Sequence, residues 1–269
     1  MNEKTPVEAP SADNPHRDVW YAVFGLGHPD LQRYQRFNLR LPAPPRCKLC
    51  YAPYRGVGSL LMRFQGRAPS SKNPQFCSRC DTFLRKFPGG AEVPATVMFA
   101  DVRGSTRLAA AVPPEEFSRM MQAFYAHTMP LIYAHDGFVI DVQGDGVTAI
   151  WPPGFSGPDH ARKAITAARA LLASPPAISN DANLRFGIGL HSGHAFIGTM
   201  TGAKAGIEDI AAWGECMNHA AHLCAACESG EVLVSEACAA EAGLDMTSVE
   251  TRNVTLKGSV APEQVVVLK

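Results

Sequence analysis

The sequence predicts an α+β fold, an antiparallel sheet layered with helices, preceded by a small metal-stapled module. Three observations carry this. Four cysteines form two C-x-x-C pairs inside a stretch rich in proline, glycine and basic residues. At Pro94 the character changes to β-rich apolar runs alternating with amphipathic helices. The strands include a tight hairpin, which mixes with helices in α+β layers and is foreign to a doubly wound parallel sheet.

Composition narrows the function classes. With 269 residues, 46% of them apolar, the chain can bury one sizeable core and keep a smaller second unit. Lys+Arg and Asp+Glu both number 25, so no global field draws the chain to nucleic acid or an anionic membrane. Apolar stretches such as Ala164 to Ala173, interrupted by Arg169, fall short of the roughly 18 residues a bilayer span needs. Met1 to Pro15 is polar and proline-containing, without an apolar run of signal-peptide length. The expectation is a soluble, cytoplasmic protein with a disordered lead-in over 1–18.

The next segment, 19–90, shows no long helical period and reads as loop-rich, too small to hold together by burial alone. Cys47-x-x-Cys50 and Cys77-x-x-Cys80 supply the staple: each pair grips one ion from a single tight turn, the pattern of a closed tetrahedral four-cysteine site. Metal binding to such a segment contributes on the order of 10 kcal/mol to folding. Zinc and an iron–sulfur cluster both fit the spacing, the latter making the module a redox or oxygen sensor. Arg46, Lys48, Arg55, Arg63 and Arg67 fit either a solvated basic face or a nucleic-acid ribbon, and the neutral net charge favours the former. Pro88-Gly89-Gly90 reads as a linker, and 91–269 as the second domain.

Within that domain Ala95 to Val102 is a strand ending at Asp101, and Arg103-Gly104-Ser105-Thr106 turns into a helix. Pro113-Pro114-Glu115-Glu116 opens a second helix whose Phe117, Met120, Met121 and Phe124 recur at core spacing. Phe138 to Val142 and Val147 to Trp151 form a hairpin through Gln143-Gly144-Asp145-Gly146. A helix over Asp159 to Ala173 follows, then strands over Leu184 to His191 and Ala195 to Met200 separated by a Ser192-Gly193 turn. Glu215 to Glu228 reads as a helix, and Glu231 to Ser235 and Val265 to Leu268 as late strands. Cys224 and Cys227 continue a packing face and read as core thiols. His219 and His222 lie three apart on that helix, but no third metal ligand accompanies them.

Asp101 at a strand end and Asp145 at a hairpin tip converge if their strands are neighbours. A lone aspartate in such a place most often bonds its own backbone. Two together, with open coordination, are what magnesium takes.

Phe99-Ala100-Asp101-Val102-Arg103-Gly104-Ser105-Thr106 resembles the first metal-binding motif of the class III adenylate and guanylate cyclases. Phe138 to Ile150 resembles their central hairpin with its Gly-Asp pair, and Gly187-Ile188-Gly189-Leu190-His191-Ser192-Gly193-His194 their glycine-rich strand. Trp213-Gly214-Glu215-Cys216-Met217-Asn218 resembles the late catalytic helix, and Leu256-Lys257-Gly258 the closing element. The resemblance implies a ferredoxin-like cyclase sandwich and a homodimer with interfacial active sites. It implies a nucleoside triphosphate substrate cyclised to a 3′,5′-monophosphate with two Mg2+ or Mn2+ ions, for second-messenger signalling. Asp101, Asp145 and the Val102 carbonyl would be the metal ligands. Arg103, Gly104, Ser105 and Thr106 would meet the phosphates with their backbone, and Lys257 the triphosphate. Asn218 of the partner subunit would orient the ribose.

Three positions depart from the adenylate cyclase pattern. Asp141, four before Asp145, stands where adenylate cyclases carry lysine and guanylate cyclases glutamate. Ala211, at the second base-reading position, has no side-chain hydrogen bond to offer. His222 replaces the arginine that stabilises transition-state charge, a loss typically costing about 10²- to 10³-fold in rate. These departures leave GTP, ATP and the pyrimidine triphosphates used by some antiphage members of the superfamily all open. They also motivate a second reading, a degenerate cyclase domain serving as a nucleotide-binding regulatory module.

Overall fold

A computed structural model describes residues 14–41, 45–178, 182–201, 208–259 and 261–269. Most of the expected lead-in lies outside the described residues. The chain divides into two compact units: one comprises the chain up to Glu92 together with 196–210, the other 93–195 and 211–269.

The first unit corrects the loop-rich expectation for 19–90. It contains helices α1 (Arg17–Trp20), continued by a π-wound segment to Gly27, α2 (Pro29–Leu39), α3 (Gly56–Phe64) and α4 (Ser78–Lys86). Each is short, so none displays a long period. Local chemistry nevertheless supports them: Pro29 sits at the start of α2, where its missing N–H costs nothing, and α4 has Asp81 in its first turn and Arg85 and Lys86 in its last. Trp20, Phe24, Met62, Phe76 and Leu84 are fully buried, so an apolar core adds to the staple. The basic residues are not one solvated face either. Arg46 donates to the carbonyls of Asn38 and Tyr51, and Arg67 is buried with its guanidinium 4.0 Å from the Tyr34 ring, which leaves Arg55 and Arg63 exposed.

The remaining elements are β1 (Gly90–Val102), α5 (Ser105–Ala111), α6 (Pro114–Ala134), β2 (Phe138–Gln143), β3 (Gly146–Trp151), α7 (Pro153–Ser156) and α8 (His160–Ala173). There follow β4 (Ala177–Ile178), β5 (Ala182–Asn183), β6 (Phe186–Thr201), β7 (Glu208–Trp213) and α9 (Glu215–Ala226). The chain closes with β8 (Val232–Ser235), α10 (Glu236–Glu241), β9 (Thr251–Val254) and β10 (Glu263–Leu268). The main sheet runs β2-β3-β1-β6-β8-β10-β9, with β7 paired to β6. Hairpin and meander pairs are antiparallel, whereas β6 and β8 are parallel. The central strand β1 is buried along most of its length, as expected of a strand covered on both faces. The helical stripe Met120, Met121 and Phe124 of α6 packs with Met98, Trp151, Phe186 and Leu190 in the core, and Phe117 rests at its margin.

Two boundaries differ from the sequence expectation. Gly89 and Gly90 are no free linker: the Thr199 amide donates to the Gly89 carbonyl at 2.8 Å, and β1 already begins at Gly90. The expected Ser192-Gly193 turn is absent, because β6 is one strand of 16 residues. Gly193 serves close packing instead, since a Cβ there would lie 3.0 Å from the Cys216 Cβ on α9.

Candidate active site

Sheet register brings the two carboxylates together. β1 and β3 are antiparallel neighbours with Asp101 opposite Gly146, so Asp145 in the preceding turn falls beside Asp101. The Val102 amide donates to the Asp145 carbonyl at 3.0 Å and closes this junction. Gly104, in the left-handed conformation at φ 69°, then turns β1 directly into α5.

The site is open and acidic. The Asp101 side chain is 40% exposed and lies within hydrogen-bonding reach of Asp145. Partial burial, followed by the Asp145 charge, pushes Asp101 up to about 6, against a smaller opposing effect of Arg103. Among the described residues the nearest countercharge to Asp101 is that of Arg103, at 3.8 Å. Oxygen donors so weakly compensated, with room to spare, suit a divalent cation.

Two supporting side chains escaped the sequence reading. The Ser105 hydroxyl donates to the Asp145 carboxylate, and the Tyr125 hydroxyl on α6 donates to the Gly144 carbonyl, pinning the hairpin tip. Ser105 was expected to act only through its backbone, and nothing local distinguishes Tyr125 from its core neighbours. Arg103 also differs from expectation. Its amide is already bonded to the Arg185 carbonyl at 2.9 Å, and its guanidinium reaches the Cys224 carbonyl near the end of α9 at 2.7 Å. Gly104, Ser105 and Thr106 remain as the turn that opens α5.

The other expected site residues make no direct polar contact with the carboxylates among the described residues. Asp141 is exposed on β2 opposite Thr148, with its carboxylate accepting the Val142 amide at 2.8 Å. Ala211 is half-buried on β7; Asn218 is exposed and His222 half-buried on α9; Lys257 is exposed after β9. Among the described residues no hydrogen bond or ion pair joins these five to Asp101 or Asp145. His219 bonds Glu263 at 3.0 Å and stacks on His191 with ring centroids 4.1 Å apart.

The sequence profile of the adenylate and guanylate cyclase catalytic domain matches residues 91–268. The chain belongs to the class III adenylate and guanylate cyclase family. An uncharacterized protein of Mycobacterium tuberculosis is 31% identical over 149 residues, 55% of this chain and 27% of that protein. Adenylate cyclase 1 of Rhizobium meliloti is 30% identical over 134 residues, 48% of this chain and 20% of that enzyme. The chain thus aligns with about a quarter of these relatives' length. The crystal structure of the guanylyl cyclase Cya2 shares the fold at a TM-score of 0.56 and 23% identity, over 66% of this chain and 93% of that one. Among the described residues no helix is long and apolar enough to cross a membrane.

N-terminal to the cyclase domain, the four expected cysteines form one cluster. The sulfurs of Cys47, Cys50, Cys77 and Cys80 all lie within 4.8 Å of one another and are buried. Buried Gln35 and Asn38 of α2 build the first knuckle by donating to the Leu49 and Cys50 carbonyls, both at 2.8 Å, and the Cys77 amide donates to the Cys47 sulfur at 3.2 Å. Burial raises the Cys47 pKa, but hydrogen bonds from Cys50, Cys77 and Cys80 outweigh it and hold this thiol well below its usual value. Cys50 and Cys80 are pushed well above it, foremost by Cys47. Buried Arg67 offers the thiolates a countercharge. By contrast, burial pushes Cys224 and Cys227 of the cyclase domain up to about 12 and about 11, as inert core thiols require.

Proposed function

We propose that this cyclase domain converts a nucleoside triphosphate to its 3′,5′-cyclic monophosphate and pyrophosphate, as a head-to-tail homodimer in the cytoplasm. The observation that carries this reading is the Asp101–Asp145 pair, two converging carboxylates at an exposed strand end and the adjoining hairpin turn, with Asp101 raised to about 6. Asp101, Asp145 and the Val102 carbonyl would hold two Mg2+ or Mn2+ ions. When bound, these ions favour ionisation of the ribose 3′-hydroxyl and offset charge building at the α-phosphate.

The chain's own residues arrange the rest. Ser105 fixes the Asp145 carboxylate, and Tyr125 holds the turn that carries it. Gly104, Ser105 and Thr106 present the first turn of α5 to the phosphates, and Lys257 neutralises the triphosphate. Asn218 of the partner subunit orients the ribose, and His222 stands in the transition-state position. Completion of the site by a second copy would bring its Asn218 and His222 to the carboxylates, and Val142 and Trp213 expose apolar surface at 36% and 42%. Asp141 accepts hydrogen bonds only, which suits the donors of guanine and not the acceptor N1 of adenine. GTP is therefore the proposed substrate.

We assign the four-cysteine module to 19–90 and the cyclase domain to 91–269, and place zinc in the module. A tetrahedral ion with metal–sulfur bonds of about 2.3 Å sets its sulfurs about 3.8 Å apart. The Cys50–Cys77 sulfur separation is 3.7 Å, compact enough for one ion, whereas a multi-iron cluster spreads its thiolates by its own width.

Incubation with ATP, GTP, CTP and UTP plus Mg2+ or Mn2+, with products identified by mass spectrometry, tests the reading. The expected result is cyclic GMP, abolished by Asp101→Ala. A folded dimer that binds triphosphate yet releases no pyrophosphate would instead establish the regulatory module, the reading Asp141, Ala211 and His222 motivate.

A further inference from the structure

Lys48 stands between the first two cysteines of the metal cluster, and its ammonium is not given to solvent. Its Nζ lies 2.6 Å from the Asp209 Oδ1 and 3.4 Å from the Ile210 carbonyl oxygen. The two side chains are only 14% and 20% exposed. The same Asp209 oxygen accepts the Ile210 amide at 2.7 Å, so the carboxylate ties Lys48 to the backbone of its own strand. That strand is β7, and Ala211 is its next residue after Ile210. One turn further, α9 carries Asn218 and His222.

The backbone of Lys48 is as fixed as its side chain. Its amide donates to the Gln75 carbonyl at 2.9 Å, two residues before Cys77. The Cys47 amide bonds the Ala52 carbonyl and the Tyr51 amide bonds the Cys47 carbonyl, both at 2.9 Å. Both cysteine knuckles therefore bear on the residue whose side chain holds β7. We propose that Lys48 and Asp209 form a positioning clamp through which the four-cysteine metal centre sets the base-reading strand of the cyclase.

An ion pair on an open surface contributes little, but this one is largely removed from water, and removing one partner leaves the other charge uncompensated. Opening the knuckles releases the Lys48 backbone, and the ammonium then loses its fixed approach to Asp209. The strand it held carries a base-facing position, where displacement of about 1 Å costs up to 10²-fold in rate. The clamp rests on the metal reading of the four cysteines and on the base-facing reading of Ala211 given above, and its test separates them.

The full-length chain is compared zinc-loaded and chelated, as wild type, Lys48→Met, Lys48→Arg, Asp209→Asn and the Lys48→Met/Asp209→Asn double variant. Three quantities are read: zinc per chain, deuterium uptake over 208–218, and kcat and KM for GTP and ATP. Lys48→Met is expected to keep one zinc per chain and the wild-type oligomeric state, and to lose about 10- to 100-fold in kcat/KM. The double variant should lose no more than either single one, and Lys48→Arg should recover most of the loss. In the wild type, zinc removal should raise uptake over 208–218; in Lys48→Met that uptake should already be high and indifferent to zinc. Should Lys48→Met shed its zinc, Asp209→Asn, outside the knuckles, carries the same expectation. Wild-type kinetics together with zinc-sensitive uptake in both Lys48→Met and Asp209→Asn overturns the clamp. A wild-type chain that binds no metal overturns the metal centre's role through its zinc content alone. If the wild type forms no product, uptake still decides whether the clamp holds β7.

Discussion

The four-cysteine cluster and the carboxylate pair both gather acidic ligands before any ion arrives, yet they differ in every feature that decides what an ion does there. The cysteines are buried, come from two tight turns within one stretch of chain, and have Arg67 beside them and Gln35 and Asn38 behind the first knuckle. The carboxylates come from the end of β1 and the turn before the adjacent β3, remain half-exposed, and among the described residues have Ser105 and a more distant Arg103 as partners. A closed shell of four ligands leaves an ion no room for substrate and commits it to structure, whereas an open pair leaves positions for water and phosphate. The raised Asp101, shifted first by burial and then by the Asp145 charge, belongs to the second design, because a cation there would offset both.

Breaking each site should show the contrast most plainly. Cys47→Ser is expected to abolish zinc binding and remove folding free energy on the order of 10 kcal/mol from the first unit. Zinc analysis combined with limited proteolysis of that unit measures this. Persistence of a protease-resistant first unit without metal would mean that the core around Trp20 and Phe24 suffices and that the cluster is not structural.

Asp101→Ala should do the reverse, leaving circular dichroism and zinc content unchanged while lowering cyclase turnover at least about 10³-fold. The pH dependence sharpens the difference. With Asp101 raised from 3.8 to about 6, the folded metal-free chain holds a proton there that the unfolded chain has released. This contribution to stability is complete below pH 3.8 and is lost as pH rises through about 6. Asp101→Asn, neutral throughout, should lack that decline in its thermal melting profile. Magnesium or manganese binding should weaken as pH falls through the same window, as calorimetry would show, because the ion must then displace a proton. The smallest effect is expected of Ser105→Ala: loss of one hydrogen bond to a ligand, about a fivefold fall in kcat with zinc content unchanged.

The sequence made the two carboxylates legible as candidates because their information is local, a strand end and a hairpin tip, whereas their convergence depends on β1 and β3 being neighbours, which only the fold supplies. The sulfur cluster was legible for the same reason, through the spacing of Cys47, Cys50, Cys77 and Cys80. What remained hidden depends on distant neighbours. Gly193 looks like a turn residue until the Cβ of Cys216 is found where its own would point. Lys48 looks like one basic residue among five, and only the fold brings Asp209, 161 positions away in sequence, to its ammonium. The helices of the first unit were missed because each shows too few turns for a period to emerge, and β7 because only four apolar residues follow its two acidic ones, Glu208 and Asp209.

The division into units bears on how such a protein changes over evolution. Residues 196–210, from the middle of the cyclase sequence, belong with the cysteine-bearing N-terminus, and β6 runs unbroken from one unit into the other. The module is therefore not a bead that recombination can restring with a single cut near residue 90. A graft made there would leave behind residues 196–210, which group with the cysteine-bearing unit, so the module and that inner segment would have to be moved together.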